Sequence, residues 1–288
     1  MKQMIALLAL ALSAFAAAPA EPEDEKEQTI FDLAEWKKGP GKVDIGEHAT
    51  LALKEGYVFT DGEGTRKILE AMGNPTSGAE LGFLTTTNTE WFVVFRFSDV
   101  GYVKDDDKDK LNPDKLLKSI KQGTEESNKI REKMGAAPMK IVGWEYPPKY
   151  NEQTHNLEWA IRGESEGKPV INYNTRILGR EGVMEAKLVI DPEQLTATLP
   201  AFQAILKDYS YKPGKTYAEY RKGDKMAKYG LAALVTGGAA AVAIKTGLFG
   251  SLLLLFKKGA KLIILAVAAI GAFIKKLFTG RSGQKLSN

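Results

Sequence analysis

The residues best suited to chemistry in this sequence lie in two short polar segments. The first, Asp105-Asp106-Asp107-Lys108-Asp109, places carboxylates at alternate positions, as many calcium-binding loops do. A complete loop of that kind also needs glycine at its sixth position and glutamate at its twelfth, where this chain has Lys110 and Leu116. Two interpretations therefore stay open: a calcium site at Asp105, Asp107 and Asp109, or a solvated turn.

The second segment is polar on one side of a predicted strand. Because successive side chains of a strand point to opposite faces, Asn172, Asn174 and Arg176 share one face. Arg180 follows in the turn formed by Gly179-Arg180-Glu181-Gly182. Such a face could bind an anion or a sugar, and it is equally compatible with a solvated sheet face that ends in a hairpin.

Other kinds of catalytic site find little support in the sequence. The chain has no cysteine, and its two histidines, His48 and His155, lie in no motif that pairs them with a serine. A pair of catalytic carboxylates stays possible, since spacing along the sequence does not determine spacing in the fold. We therefore predict a protein without a cofactor that is uncertain as an enzyme and better described as a binding protein.

The elements that position these residues are predicted to form an α+β domain over residues 41–210. Strand groups alternate with separate helices, and the short polar links between the last strands favour a mainly antiparallel sheet. The predicted strands are 49–60, 91–97 (central in the sheet), 140–146, 156–162, 170–178 and 183–190, and the predicted helices are 61–72, 113–134 and 192–206.

The N-terminal residues resemble an export signal. Residues 1–20 combine a positive charge at Lys2, an apolar run and small residues at the end, which is typical of a cleaved signal peptide. Residues 21–40 are predicted to be a polar leader. The domain that follows is therefore predicted to lie outside the cytoplasm.

The C-terminal region is predicted to anchor the chain to a membrane. We expect a juxtamembrane linker over 211–228 and a transmembrane helix over 229–256, followed over 257–288 by a basic interfacial helix or a second short span. Ala233, Gly237 and Ala241 recur every fourth residue, a spacing that lets membrane helices pack closely, although small residues are common in such helices anyway.

The charge distribution agrees with this arrangement. The net charge is +4, yet acidic residues outnumber basic ones over 21–212, whereas Glu219 and Asp224 are the last acidic residues of a strongly basic C-terminal region. Such segregation argues against nucleic acid as a partner and for contact of the tail with membrane lipid. We predict a location at the inner (cytoplasmic) membrane of a bacterium, with the soluble domain in the periplasm.

Several phrases of the sequence resemble an uncharacterised family of bacterial membrane-anchored proteins. These phrases are Leu53-Lys54-Glu55-Gly56-Tyr57-Val58-Phe59, Met72-Gly73-Asn74-Pro75, Gly101-Tyr102-Val103-Lys104-Asp105-Asp106, Asn172-Tyr173-Asn174-Thr175-Arg176-Ile177-Leu178-Gly179-Arg180 and Tyr229-Gly230-Leu231-Ala232-Ala233. The resemblance implies a signal peptide, an extracytoplasmic domain and a C-terminal anchor. It implies no activity, because the family is known as a domain of unknown function.

Two hypotheses about function follow. The first is a non-enzymatic binding or accessory module of the cell envelope, whose partner is another envelope protein or a second copy joined through the anchor. The alternative is an enzyme acting on envelope material through carboxylates or through the face formed by Asn172, Asn174 and Arg176.

Overall fold

The structure is a computed structural model, and it describes residues 29–72, 74, 76–88, 90–133 and 137–237. The predicted signal peptide, residues 21–28 of the predicted polar leader, and the tail from residue 238, which includes Ala241, lie outside the described residues. Within these ranges, no helix is both long enough and apolar enough to cross a membrane.

The described residues form two antiparallel sheets and four α-helices, an α+β arrangement that confirms the predicted fold class. The strands are β1 Lys37–Lys38, β2 Gly41–Ile45, β3 Ala49–Leu53, β4 Tyr57–Asp61, β5 Glu80–Thr86, β6 Trp91–Ser98, β7 Lys140–Asn151, β8 Asn156–Ser165, β9 Lys168–Leu178, β10 Val183–Ile190 and β11 Tyr209–Tyr211. The helices are α1 Gly62–Ala71, α2 Pro113–Lys133, α3 Leu195–Asp208 and α4 Leu231–Thr236.

The strands of the large sheet lie in the order β1-β4-β5-β6-β10-β9-β8-β7, and those of the small sheet in the order β11-β3-β2. Every neighbouring pair is antiparallel. Strand β6 lies between β5 and β10, which confirms the prediction that 91–97 is a central strand. Strands β8, β9 and β10 follow one another in sequence and in space as hairpins.

Local sequence explains where two helices begin. The carboxylate of Asp61 accepts hydrogen bonds from the backbone N–H groups of Glu63 and Gly64, both at 3.0 Å, and so caps α1. The side chain of Asn112 accepts a hydrogen bond from the N–H of Lys115 at 3.0 Å, just before the proline that begins α2. Both helices lie where the sequence predicts them.

The prediction of one strand over 49–60 is wrong, because the structure forms β3 and β4 there and places them in different sheets. The chain turns at Gly56, whose φ of +83° lies in the left-handed region that favours glycine. The turn interrupts the strand at Lys54-Glu55-Gly56, where the alternation of polar and apolar residues also breaks.

The large sheet is covered differently on its two faces. On one face, the small sheet and α3 enclose the main apolar core, with Phe95, Met184 and Phe202 among its fully buried members. On the other face, α1 covers an apolar cluster around Phe83. Helices α2 and α4 cover a second cluster around Trp159. Between these two clusters, the central strands present charged side chains.

The residues after β11 pack against the body as far as the structure describes them, and most of the span predicted over 229–256 lies outside the described residues. Tyr217 is buried, and its hydroxyl donates a hydrogen bond to the carbonyl oxygen of Val103 at 3.0 Å. In α4, the apolar side chains of Leu231, Leu234 and Val235 are 0%, 5% and 5% exposed. The described part of 211–236 therefore packs into the folded domain, because its tyrosines and leucines complete an apolar cluster of the body.

Candidate functional site

A row of alternating charges crosses the centre of the large sheet on the face that carries α1 and α4. Glu185 of β10 is directly opposite both Arg96 of β6 and Arg176 of β9, and Glu80 of β5 is opposite Arg96. Residues directly opposite in an antiparallel pair point to the same face. We call Glu80, Arg96, Glu185 and Arg176 the charged row.

The first pair of this row is well satisfied. The Arg96 guanidinium donates to the hydroxyl of Ser77 at 2.5 Å and lies 3.5 Å from the carboxylate of Glu80. Burial opposes ionisation of Glu80, yet backbone N–H donors and the Arg96 charge outweigh it, so the pKa of Glu80 lies below its usual value. Glu80 and Arg96 therefore neutralise one another.

Arg176 is only partly satisfied. It is 8% exposed, its guanidinium lies 4.8 Å from the ring centroid of Trp159, and one terminal nitrogen lies 3.4 Å from Glu185. Its other terminal nitrogen, Nη1, is buried without a hydrogen-bond partner in the structure. Burial lowers the pKa of Arg176, with Glu185 opposing this effect, but an arginine keeps its charge in proteins. The guanidinium is therefore a buried cation with an unused donor.

Lys187 lies beside this row and adds a second cation. It is two residues from Glu185 on β10 and directly opposite Asn174 of β9. Burial, followed by the charge of Arg176, lowers the pKa of Lys187 to about 8. Among the described residues, no carboxylate forms an ion pair with it. Lys187 is thus a partly buried amine whose charge is left without a close counterion.

The predicted polar face of β9 does form, and it is less solvated than a surface strand. Tyr173 and Ile177 point into the main core, so Asn172, Asn174 and Arg176 point to the other face. Asn174 is 6% exposed, and its side-chain amide donates to the carbonyl oxygen of Asn172 at 3.0 Å. The structure brings these three residues together with Glu185 and Lys187.

Arg180 has a different role from the other predicted binding residues. Its guanidinium makes two hydrogen bonds of 2.7 Å to the two carboxylate oxygens of Asp224. The hydrogen bond from Arg180 is the largest cause that lowers the pKa of Asp224 to about 2. A third contact reaches the carbonyl oxygen of Gly214 at 3.3 Å. Arg180 therefore holds the segment after β11 on the body.

The acidic loop uses two of its carboxylates in contacts within the protein. Asp105 accepts a hydrogen bond of 2.9 Å from the hydroxyl of Tyr150. Asp107 accepts hydrogen bonds from the N–H groups of Leu231 and Ala232, at 3.1 and 3.4 Å, at the beginning of α4. Asp109 lies in a 3-10 helix, Lys108–Lys110.

Throughout the described ranges, no group of three or more His, Cys, Asp or Glu residues is placed to hold a metal ion. The calcium site predicted at Asp105, Asp107 and Asp109 therefore has no support among these residues.

The predicted small-residue face is not formed by the described residues. Helix α4 contains Ala233 and ends at Thr236, and the next residue, Gly237, has a φ of +71°. A left-handed glycine directly after a helix is a common way for the helix to end. Ala233 and Gly237 therefore do not belong to one continuous helix, and Ala241 lies outside the described residues.

Arg96, Glu185 and Lys187 were missed as site residues by the sequence analysis. Each is a charged residue inside a strand that is otherwise largely apolar, namely β6 or β10. Charged side chains at half-buried strand positions are costly unless they are paired, so this pattern was an available signal. Their meeting depends on the register between β6, β10 and β9, which the sequence alone does not reveal.

The described residues also line cavities away from the charged row. One, of about 20 Å³, lies between β3 and α3 and is lined by residues such as Leu51 and Ile205. The other, of about 600 Å³, is an open depression beside Asp107 and Lys228. Neither is lined by the charged row, which is a sheet face and not an enclosed pocket.

These features define a class: an α+β domain whose mainly antiparallel sheet carries partly buried charges on its central strands. Within that class, the chain belongs to the family of proteins of unknown function DUF2167, whose model matches residues 37–271. This confirms the resemblance to an uncharacterised family. No curated protein matches the chain.

Similar solved structures share little sequence with this chain. Cyanobacterial PsbP from Synechocystis is 10% identical, with a TM-score of 0.39, and the match covers 62% of this chain and 94% of that one. The Ran-binding protein Mog1p from Saccharomyces cerevisiae is 8% identical, with a TM-score of 0.32, over 60% and 96% of the two chains. The type VI secretion immunity protein TplEi from Pseudomonas aeruginosa is 10% identical, with a TM-score of 0.27, over 60% and 76%.

Proposed function

We propose that this protein is a membrane-anchored, extracytoplasmic binding module of the bacterial cell envelope and not an enzyme. Residues 1–20 have the composition of an export signal, and residues 238–288 are apolar and basic with no acidic residue. These properties support a location at the inner membrane, with the domain in the periplasm and the tail in contact with lipid.

The observation that carries the binding function is the unmatched positive charge on the central strands. Arg176 is buried with an unused donor, and Lys187 is partly buried without an ion-pair partner among the described residues. Burying a cation without compensation costs on the order of several kcal/mol. A bound partner that supplies negative charge or acceptor oxygens would remove that cost, which is how a binding face gains affinity.

The positions of the two histidines support binding over catalysis. His48 stacks on Phe97 at 3.6 Å between ring centroids, and Phe97 packs against the core on the opposite face of the sheet. His155 lies in the β7–β8 hairpin, where its ring contacts the hydroxyl of Tyr150. Neither residue is placed to act as a base beside Arg176.

One observation favours the alternative, an enzyme that acts on envelope material. Burial lowers the pKa of Lys187 to about 8, so a fraction of its amine is neutral near pH 7. A lysine that acts as a general base or forms a Schiff base needs such a neutral amine. Turnover of an envelope-derived substrate by the purified chain would test this alternative, with Arg176→Ala and Asn174→Ala as variants. Activity that survived both changes would exclude this face as the catalytic site.

Crosslinking in living cells tests the proposed module. A tag after Asn288 allows the full chain to be purified after crosslinking, and mass spectrometry identifies what is attached to it. We expect one envelope partner in stoichiometric amount, which is lost in Arg176→Ala and kept in Arg162→Ala. Arg162 is a matched control, since it pairs with Glu145 on the opposite face of the sheet, at 2.6 Å. Recovery of background proteins alone would contradict the proposal.

Location is tested separately by fractionation and protease treatment. The full chain should remain in the membrane fraction after alkaline carbonate extraction. Its folded body should become sensitive to added protease when the outer membrane alone is permeabilised. A chain found in the soluble fraction, or protected until the inner membrane is broken, would contradict the proposed location.

A further inference from the structure

The charged row lies in a gap between two covered regions of the sheet. On one side, Ile68 of α1 packs with Phe83 and Val94. On the other, Leu231 of α4 packs in the cluster that contains Trp159. The helices thus cover the outer strands of this face, and β6, β10 and β9 present polar side chains between them.

The charges in this gap do not cancel. Glu80 is matched by Arg96, and Glu185 by Arg176, which leaves the amine of Lys187 as a surplus positive charge. Three neighbouring charges act on the Lys187 amine: Arg176 and Arg96 repel its positive charge, and Glu185 attracts it. A singly charged anion would make the face neutral.

Three side chains with hydrogen-bond donors lie side by side on this face. Arg176 has an unpartnered Nη1, and Lys187 has an ammonium group with no ion pair among the described residues. Asn174 has a side-chain amide, of which one N–H is used by Asn172. Asn174 and Lys187 are directly opposite, with Cβ atoms about 5 Å apart, and Arg176 is a diagonal neighbour of Lys187 at about 7–8 Å.

We propose that this face binds a phosphate group through Arg176, Lys187 and Asn174. The inference names the ligand class of the proposed binding module and rests on that proposed function. Inorganic phosphate and phosphate monoesters present a separate oxygen to each of three donor side chains, whereas a carboxylate or a phosphodiester must share two charged oxygens among them. Arginine and lysine are both common phosphate-binding residues. A phosphodiester, or phosphate with one charge, also matches the single surplus charge.

Competitive labelling of lysines tests the proposal on the full chain in detergent. A trace of acetic anhydride acetylates only neutral amines, and mass spectrometry of peptides reads the extent at each lysine as the pH is raised. The comparison is between sodium phosphate and sodium chloride at equal ionic strength. We expect phosphate to raise the apparent pKa of Lys187 by about one unit, because a bound anion favours the charged amine. At a pH near the pKa of Lys187, acetylation of this lysine should then be several-fold lower in phosphate than in chloride.

Matched controls separate binding from a general salt effect. Lys212, which pairs with Asp44 at 2.8 Å away from this face, should label equally in the two salts. Arg176→Ala should abolish the phosphate effect at Lys187, whereas Arg162→Ala should keep it. If Arg176→Ala does not fold, Asn174→Ala takes its place and should weaken phosphate binding by roughly tenfold or more. Equal labelling of Lys187 in phosphate and chloride would exclude a soluble phosphate compound as the ligand.

A second experiment distinguishes the two possible sources of the phosphate group, a soluble phosphate compound and a lipid headgroup. Lys187 labelling is measured again with the chain reconstituted into phosphatidylglycerol vesicles and, for comparison, with the chain in a sugar-based detergent that contains no phosphate. Protection by inorganic phosphate assigns the face to a soluble phosphate compound. Protection only by phosphatidylglycerol assigns it to a lipid headgroup, and protection by neither overturns the inference.

The failure of this inference is distinguishable from failure of the proposed function. If neither phosphate source protects Lys187 but crosslinking recovers an Arg176-dependent partner, the binding module stands and the ligand class is wrong. If phosphate protects Lys187 but crosslinking recovers no partner, the phosphate site stands and a macromolecular partner is excluded.

Discussion

Replacing Leu231 by alanine tests whether α4 belongs to the folded body. The side chain is 0% exposed and packs in the cluster that contains Trp159 and Val183. Leucine and alanine are both good helix formers, so the change leaves helix propensity nearly unaltered and removes packing. Truncation of a buried leucine costs about 2–5 kcal/mol, depending on how far the cavity collapses. We expect a loss near the middle of that range, about 3 kcal/mol.

The assay is unfolding of the full chain in guanidinium with detergent, followed by tryptophan fluorescence. Trp159 is 2% exposed and lies in the same cluster, so its environment reports on the site of the change. In a thermal scan, the same loss should lower the unfolding temperature by roughly 5–15 °C.

The matched control is Val142→Ala, which shortens an apolar side chain that is 47% exposed on β7. It should leave the unfolding of the body unchanged. A decrease in the free energy of unfolding of less than about 1 kcal/mol for Leu231→Ala would refute the reasoning, because truncating a fully buried leucine costs at least about 2 kcal/mol. Equal losses for the two variants would likewise show that the assay does not report on the packing of α4.

Two further predictions concern the contacts that hold the segments after β11 and before α2. The pKa of Asp224 in the folded protein is lowered to about 2. The ion pair between Asp224 and Arg180 therefore contributes its full stability above the pKa of an unfolded aspartate, about 3.9, and loses that contribution as the pH falls toward 2. Unfolding curves from about pH 5 downward should therefore show wild type and Asp224→Asn converging, and a constant gap would contradict the assignment. Gly101→Ala should destabilise the domain by more than about 1 kcal/mol, since φ is +87° and the new Cβ would lie 2.4 Å from the carbonyl oxygen of Lys225. Gly167→Ala has a similar φ of +74° and open space, so urea denaturation should show a smaller loss there; equal losses would argue against the close contact.

Elements with strong local signals are predictable from this sequence. Strand β10 has the predicted bounds, 183–190, because its apolar run is ended by the Gly182 turn and by Asp191-Pro192. Strand β7 continues beyond its predicted end through Pro147 and Pro148 to Asn151. It is the last strand of the sheet, and an edge strand tolerates prolines because one side of its backbone needs no donor.

The candidate site is only partly predictable, because register is a property of distant segments. Asn172, Asn174 and Arg176 share a face by simple alternation, which the sequence shows directly. The position of Glu185 between Arg96 and Arg176 depends on pairing across 89 and 9 residues of sequence, and no local pattern encodes it. Apolar residues such as Leu231 and Leu234 suit a membrane or a protein core equally, so composition alone does not decide between the two.

The attachment of the segment before Gly237 also determines how the body can move. A free linker over 211–228 would have a root-mean-square end-to-end distance of roughly 25 Å, and the body could move over that distance. In the structure, Arg180 and Asp107 hold this stretch at Asp224 and at the first turn of α4. Residues 211–236 are therefore held on the body and belong to the fold, where a free linker would have moved independently of it.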